Sequence, residues 1–159
     1  IDTQTSRIDI YYEHYDFHTP AETLRKFLWD IFASHYIEMI KSRAYNESNN
    51  FSKEESESAK YTLYYLLERM ITLLYPILPQ VTSVIGNGLD IILHKTTFPK
   101  GKENKEAEKI IESIMQFNGE VWKQKKENGI SLKEAIKNIR IPTSLKNFEK
   151  DLVACHNLQ

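Results

Sequence analysis

The chain has 159 residues, 41% hydrophobic and 27% charged, the balance of an ordinary globular protein. Its formal net charge of −1 makes no global demand for a polyanionic partner, 5 Gly and 5 Pro are too few for a turn-rich β fold, and no apolar run approaches the ~20 residues that span a bilayer. The single cysteine, Cys155, excludes an internal disulfide framework and a cysteine-based zinc site, and points to a reducing compartment. The chain opens on Ile1 without a secretory signal and reads as a piece of something larger. Charge is uneven: residues 1–99 carry 9 Lys and Arg against 13 Asp and Glu, and residues 100–159 carry 12 against 9, giving −4 and +3.

Taken in chain order, residues 2–15 are amphipathic enough for a frayed or truncated first helix. Thr19-Pro20-Ala21-Glu22 has the form of a capping box with proline in the first turn and predicts a helix over 20–44. Leu24, Phe27, Leu28, Ile31, Phe32, Ile37 and Ile40 give it an apolar face, which Trp29, Tyr36 and Met39 widen. Ser52-Lys53-Glu54-Glu55 is a second box, opening a Leu-rich helix over 53–75 that Pro76 must end. Pro79 starts a shorter helix that finishes at Gly86-Asn87-Gly88. Residues 89–98, LDIILHKTTF, are apolar and β-branched and read as one extended connector, since a single strand cannot make a sheet. A long helix follows over 102–127. Ser131-Leu132-Lys133-Glu134 is a third box, predicting a short helix over 131–138, and a last helix covers 144–156. Antiparallel helices with short links and one apolar face each make an all-α antiparallel helical bundle.

Most candidate chemistry is weak. His14 and His18 with Asp16 have metal-ligand residue types, but they straddle a helix start. Cys155 and His156 are adjacent, and neighbouring helical side chains point ~100° apart, away from each other. Gly86-Asn87-Gly88 lacks the lysine of a phosphate loop. Two basic stretches stand out. Lys123, Lys125 and Lys126 surround Trp122 near a helix C-terminus, where they either complement the helix dipole or meet phosphates. Lys41, Arg43 and Tyr45 end the first long helix beside the polar run Asn46-Glu47-Ser48-Asn49-Asn50. Cations and an aromatic ring at the edge of such a loop either cap a dipole or hold unpaired bases, which proteins read by stacking and by hydrogen bonds to base edges.

The order of Trp29, then Tyr36-x-Glu38-x-x-Lys41, then a Leu-rich helix ending in Tyr75-Pro76-Ile77-Leu78-Pro79, resembles the anticodon-binding helical bundle of the class I aminoacyl-tRNA synthetases for valine, isoleucine, leucine and methionine. The match runs over about residues 11–99, with Phe98-Pro99 where the family often has Trp-Pro, and Ser83-Val84-Ile85-Gly86 where it often has Glu-x-Ile-Trp. The tail, NGEVWKQKKENGISLKEAI and IPTSLKNFEKDLVACHNL, resembles the extension found in a group of the valine enzymes. The isoleucine enzymes usually end in a cysteine-rich metal module, which one cysteine cannot supply.

The resemblance implies a bundle over 1–99 and a helical extension over 100–159 packed on it. It implies binding of the anticodon stem-loop of the valine tRNA, with no DNA or membrane partner, in a cytoplasmic protein. Lys41 and Arg43 would contact base edges or phosphates, Tyr45 would stack, and Lys123, Lys125 and Lys126 would meet the backbone. Trp29 and Tyr36 would pack in the bundle, and Glu38 would orient Lys41. No catalytic residue and no metal ligand is expected in this stretch. ATP and magnesium would belong to a catalytic domain elsewhere in the same chain, where valine is joined to tRNA. Three other readings remain: a helical protein-interaction module, a free-standing enzyme, and the equivalent domain of an isoleucine or leucine enzyme.

Overall fold

The computed structural model describes residues 1–159. It is helical, with no strand and one isolated parallel bridge between Ile136 and Leu158. Helix α1 spans Asp2–Glu13, α2 His18–Lys26, α3 Glu38–Tyr45, α4 Lys53–Leu74, α5 Pro79–Gly88, α6 Lys105–Glu127 and α7 Glu149–His156. Between α2 and α3, Phe27–Ile37 is wound as a π-helix, so helical structure runs unbroken from His18 to Tyr45. Short 3₁₀ turns lie at Leu93–Lys95 and Thr143–Phe148.

The chain divides into two compact units, each built from two segments: residues 1–29 with 60–104, and residues 30–59 with 105–159. One break, after residue 104, lies near the boundary expected at residue 99, and the other two fall within the stretch 1–99. In the first unit α1 packs on α2, around buried Ile8, Leu24 and Leu73, with Tyr12, Leu74 and Phe98 against them. The Tyr12 hydroxyl donates to the carbonyl of Leu73 at 2.7 Å, and burial raises its pKa to about 12. Gly101 crosses α1 so closely that an added Cβ would lie 2.0 Å from the carbonyl oxygen of Asp2; only glycine fits. In the second unit α3 packs on α7, and the 143–148 turn packs on both α6 and α7. Met39, Ile40, Ala44, Ile114, Phe117, Val121, Leu145 and Leu152 are buried there.

The helix-start devices differ from the sequence pattern in two of three places. At Ser52 the box forms as expected: Ser52 N–H donates to Glu55 Oε2 at 2.7 Å, and Glu55 N–H donates back to Ser52 Oγ at 3.2 Å. At the first box the cap is Asp16 instead. Its Oδ1 accepts from the N–H groups of His18 and Thr19, and its Oδ2 from the Thr19 hydroxyl, so the carboxyl is held below its usual pKa chiefly by Thr19. Helix α2 therefore begins two residues before Pro20. At the third box no helix forms over 131–138; that backbone is held from outside, as described below. The connector over 89–98 is not fully extended, because Leu93–Lys95 closes a 3₁₀ turn with Leu93 buried.

Candidate nucleic-acid interface

Helix α3 has two faces. Met39, Ile40 and Ala44 are buried, and Arg43, four after Met39 and three after Ile40, continues that stripe. Its Nε lies 3.3 Å from Oδ1 of Asp151 on α7, and its side chain is only 27% exposed. Burial raises the pKa of Asp151, and Arg43 opposes that shift. Arg43 thus forms an ion pair from α3 to α7 and does not line the pocket that Lys41 and Tyr45 share. Lys41 and Tyr45, four residues apart, share the other face. Lys41 pairs with Glu38 one turn back, an exposed ion pair that costs little to open. Tyr45 is 77% exposed.

Lys41 and Tyr45 line one surface pocket of about 290 Å³, together with Ser42, the loop residues Asn46, Glu47, Ser48, Asn50 and Phe51, and Ala154 and Asn157 from the end of α7. Asn46 builds the loop side. It ends α3 in the left-handed region at φ 50°, a conformation asparagine tolerates. Its side-chain amide donates to the carbonyl of Phe51 at 2.8 Å, while its side-chain oxygen accepts from Phe51 N–H at 3.0 Å. One side chain thus clasps both backbone groups five residues on. Phe51 is buried, with the Lys150 ammonium 4.7 Å from its ring centroid, and Lys150 pairs with Glu55 at 2.6 Å. That pair is the main cause holding the Glu55 carboxyl below its usual pKa.

The α7 side is fixed from beneath. Lys125 is fully buried, at 0% exposure. Its Nζ donates to the carbonyls of Leu132 at 2.8 Å, Glu134 at 2.7 Å and His156 at 2.7 Å. An ammonium has three donors and no acceptor, so three carbonyls satisfy it fully. Burial lowers its pKa. This overturns the expectation that Lys125 meets phosphate, and it explains the missing helix, since the backbone of 132–134 bonds to Lys125 rather than along a helix. The signal was present in α6: Ile114, Phe117, Val121 and Lys125 lie at helical spacing on one stripe, so Lys125 falls on the buried face.

Above it, buried Asn118 joins two imidazoles. Its Oδ1 accepts from His156 Nε2 at 2.7 Å, and its Nδ2 donates to His35 Nδ1 at 3.3 Å. With the amide so oriented, His35 accepts at Nδ1 and is a neutral ring with its proton on Nε2, while His156 carries a proton on Nε2. Burial, with Lys125 nearby, depresses His156 to about 4, and burial also lowers His35. Trp122 flanks both rings, at 5.1 Å from His35 and 5.8 Å from His156. Cys155, half-buried, is pushed up to about 11 by burial, a thiol far from thiolate character at neutral pH.

Lys123 and Lys126 are exposed near the end of α6, with Lys123 3.9 Å from Glu127. Tyr36 stacks on Phe32 at 5.8 Å. Trp29, expected to pack, is 69% exposed: π winding begins at Phe27, so an apolar arc extrapolated at α-helical spacing fails beyond it. Of His14, Asp16 and His18, the carboxylate is taken up by capping α2. Gly86–Gly88 closes α5, with Gly86 tight against the Ile91 carbonyl.

The second unit therefore presents an exposed ring, a cation and a polar loop clasped by Asn46 around one open pocket on a helical scaffold. That is the equipment of a module for unpaired nucleotides. By its sequence the chain belongs to the anticodon-binding domain family of tRNA ligases, whose family model matches residues 1–141. It is 35% identical over 152 residues to the valine–tRNA ligase of Aeropyrum pernix, covering 91% of this chain and 18% of that protein. It is 35% identical to the valine–tRNA ligase of Nanoarchaeum equitans, covering 94% of this chain and 19% of that protein. It is 33% identical to the valine–tRNA ligase of Pyrobaculum aerophilum, covering 92% and 19%. The chain thus spans about a fifth of the length of these relatives. An RNA-free interaction module is the weaker reading beside these matches.

Proposed function

We propose that this chain recognises the anticodon stem-loop of the valine tRNA and serves a larger protein that joins valine to that tRNA in the cytoplasm. ATP and magnesium would act in a catalytic domain of that protein, outside the residues described. The observation that carries the reading is the pocket shared by Lys41 and Tyr45, set against the polar loop that Asn46 clasps. Tyr45 offers a stacking face to an unpaired base, and stacking contributes ~1–3 kcal/mol per base while tolerating any sequence. Lys41, once released from Glu38, reaches a phosphate or a base edge. The amide and hydroxyl groups of Ser42, Ser48, Asn50 and Asn157 carry the donors and acceptors that tell one base edge from another. Lys123 and Lys126 remain as backbone contacts, since both are exposed. The choice of valine over isoleucine or leucine rests on the named relatives and on the single cysteine.

A filter-binding competition tests this reading. Valine tRNA and a variant with a changed anticodon compete for the chain at low and moderate salt. The reading expects the variant to compete at least tenfold worse, with both affinities falling as salt rises. Equal competition by the two RNAs rejects it.

A further inference from the structure

We infer that residues 131–146 form a preorganised phosphate track, in which Lys133, Lys137, Arg140 and Lys146 hold the RNA backbone adjoining the nucleotides seated in the pocket. The inference rests on the proposed RNA reading and adds a second site to it, one the basic stretch Lys123–Lys126 did not suggest.

Three observations carry it. The first is charge. Residues 131–146 hold four cations against one acidic residue, Glu134, in a chain whose net charge is −1. All four cations are exposed. None of them takes part in an ion pair, whereas Arg7, Arg25, Lys41, Arg43, Arg69, Lys123 and Lys150 each have a carboxylate within 4 Å.

The second is order without helix. The first part of the segment, residues 132–136, is tied down from outside itself. Lys125 takes the carbonyls of Leu132 and Glu134. The Asn157 side chain donates to the carbonyl of Lys133 at 2.7 Å. Ile136 N–H donates to the Asn157 carbonyl at 3.1 Å, and Gln159 N–H donates to the Ile136 carbonyl at 3.0 Å. Further on, fully buried Leu145 anchors the turn that carries Lys146. Backbone groups used this way leave the intervening side chains pointing outward from a fixed frame, so holding a polyanion orders fewer new bonds.

The third is placement. Asn157, which grips Lys133, also lines the pocket with Lys41 and Tyr45. The track therefore starts at the pocket wall. Farther along, Arg140 and Lys146 face one groove of about 200 Å³ with Thr143 and Pro142, and its one acidic neighbour is Glu149. A phosphodiester fits two converging cations and a hydroxyl; guanidinium and ammonium together supply both a planar fork and a point charge.

The test uses the 159-residue chain and a synthetic anticodon stem-loop hairpin of the valine tRNA, with affinity measured across a salt series. Arg140→Gln/Lys146→Gln and Lys133→Gln/Lys137→Gln each remove two cations. Every phosphate left without its cation lowers the slope of log affinity against log salt by ~0.7–0.9, so each double variant is expected to flatten the slope by about 1.5. Each is also expected to weaken binding about tenfold at low salt, equally for matched and mismatched anticodons. Lys95→Gln/Lys102→Gln, two exposed lysines of the other unit, is expected to leave the slope unchanged. The inference is overturned, with the pocket reading intact, if the hairpin binds the unchanged chain and both track variants keep its slope. It is overturned also if the control pair flattens the slope as much, since total charge would then explain the effect. A hairpin that the unchanged chain does not bind at all rejects the pocket reading and this inference together.

Discussion

The Lys125 ammonium donates to the backbone carbonyl of His156 at 2.7 Å. That bond joins the end of α6 to the end of α7, one residue before Asn157, which lines the candidate RNA pocket. A cation that its sequence neighbours mark as a surface charge is instead an internal strut. It acts on the pocket through the backbone and touches no nucleotide in the proposed mode.

Replacing Lys125 with Met therefore costs stability. The carbonyls of Leu132, Glu134 and His156 lose their donor, the last of them in a fully buried bond, and each group left unsatisfied costs ~1–3 kcal/mol before relaxation and water entry reduce the sum. Urea unfolding at neutral pH is expected to show a destabilisation of ~3 kcal/mol or more. Lys126→Met, on the exposed side, is expected to stay within ~0.5 kcal/mol.

His156 gives the second unit a pH dependence of defined sign. The folded ring titrates near 4 and the unfolded one near 6.5. Between those values the unfolded state binds the extra proton, so stability is complete above 6.5 and falls as pH drops toward 4. The full decrease is roughly 3 kcal/mol, and His35, also lowered, adds to it with the same sign. Urea midpoints from about pH 7 to pH 4 measure it. His156→Gln, which keeps a donor toward Asn118, is expected to flatten most of the curve.

Lys41 and Arg43 separate binding from stability. Lys41→Ala is expected to weaken hairpin binding about tenfold and leave the unfolding midpoint unchanged, because the residue is exposed and its Glu38 pair contributes little. Arg43→Ala strands the Asp151 carboxylate under α3 and is expected to cost ~1–3 kcal/mol, less than a fully buried pair would, because its side chain is partly exposed. Paired binding and denaturation curves for the two variants decide it.

Asn46→Ala opens the clasp around residues 46–51. Two hydrogen bonds disappear, and alanine is strained at φ 50°, so a destabilisation of ~1–3 kcal/mol is expected in thermal or urea unfolding. The loop's amide protons are expected to exchange faster with solvent while those of α6 keep their protection.

Much of this was legible from local rules. The Ser52–Glu55 box and Pro76 bracket α4 because both act within one turn of chain. Gly129, at φ 65°, follows the end of α6 in the left-handed conformation that commonly closes a helix, in keeping with the end expected at 127. What failed was decided by distant partners. Ser131-x-x-Glu134 is a sound helix start in isolation, yet a lysine six residues earlier takes the carbonyls on either side of Lys133. Thr19 looked like a cap, but Asp16 offers two stronger acceptor oxygens. Lys41, Arg43 and Tyr45 read as one cluster along the chain; on the helix, residue 43 turns toward α7 and only the i,i+4 pair faces the pocket. Asn157 could not be linked to that pocket from sequence, since α7 is brought there by tertiary packing alone.

The central claim is that the pocket at the end of α3 holds unpaired nucleotides against Tyr45, and stacking reports on this directly. Fluorescence of 2-aminopurine, placed in turn at each anticodon-loop position of the hairpin, is measured with the unchanged chain and with Tyr45→Ala. The account predicts a fluorescence change at one or two anticodon positions that Tyr45→Ala abolishes, with hairpin affinity falling about tenfold or more. A change that survives Tyr45→Ala at every position, or no change at any loop position in a hairpin that is fully bound, would contradict it.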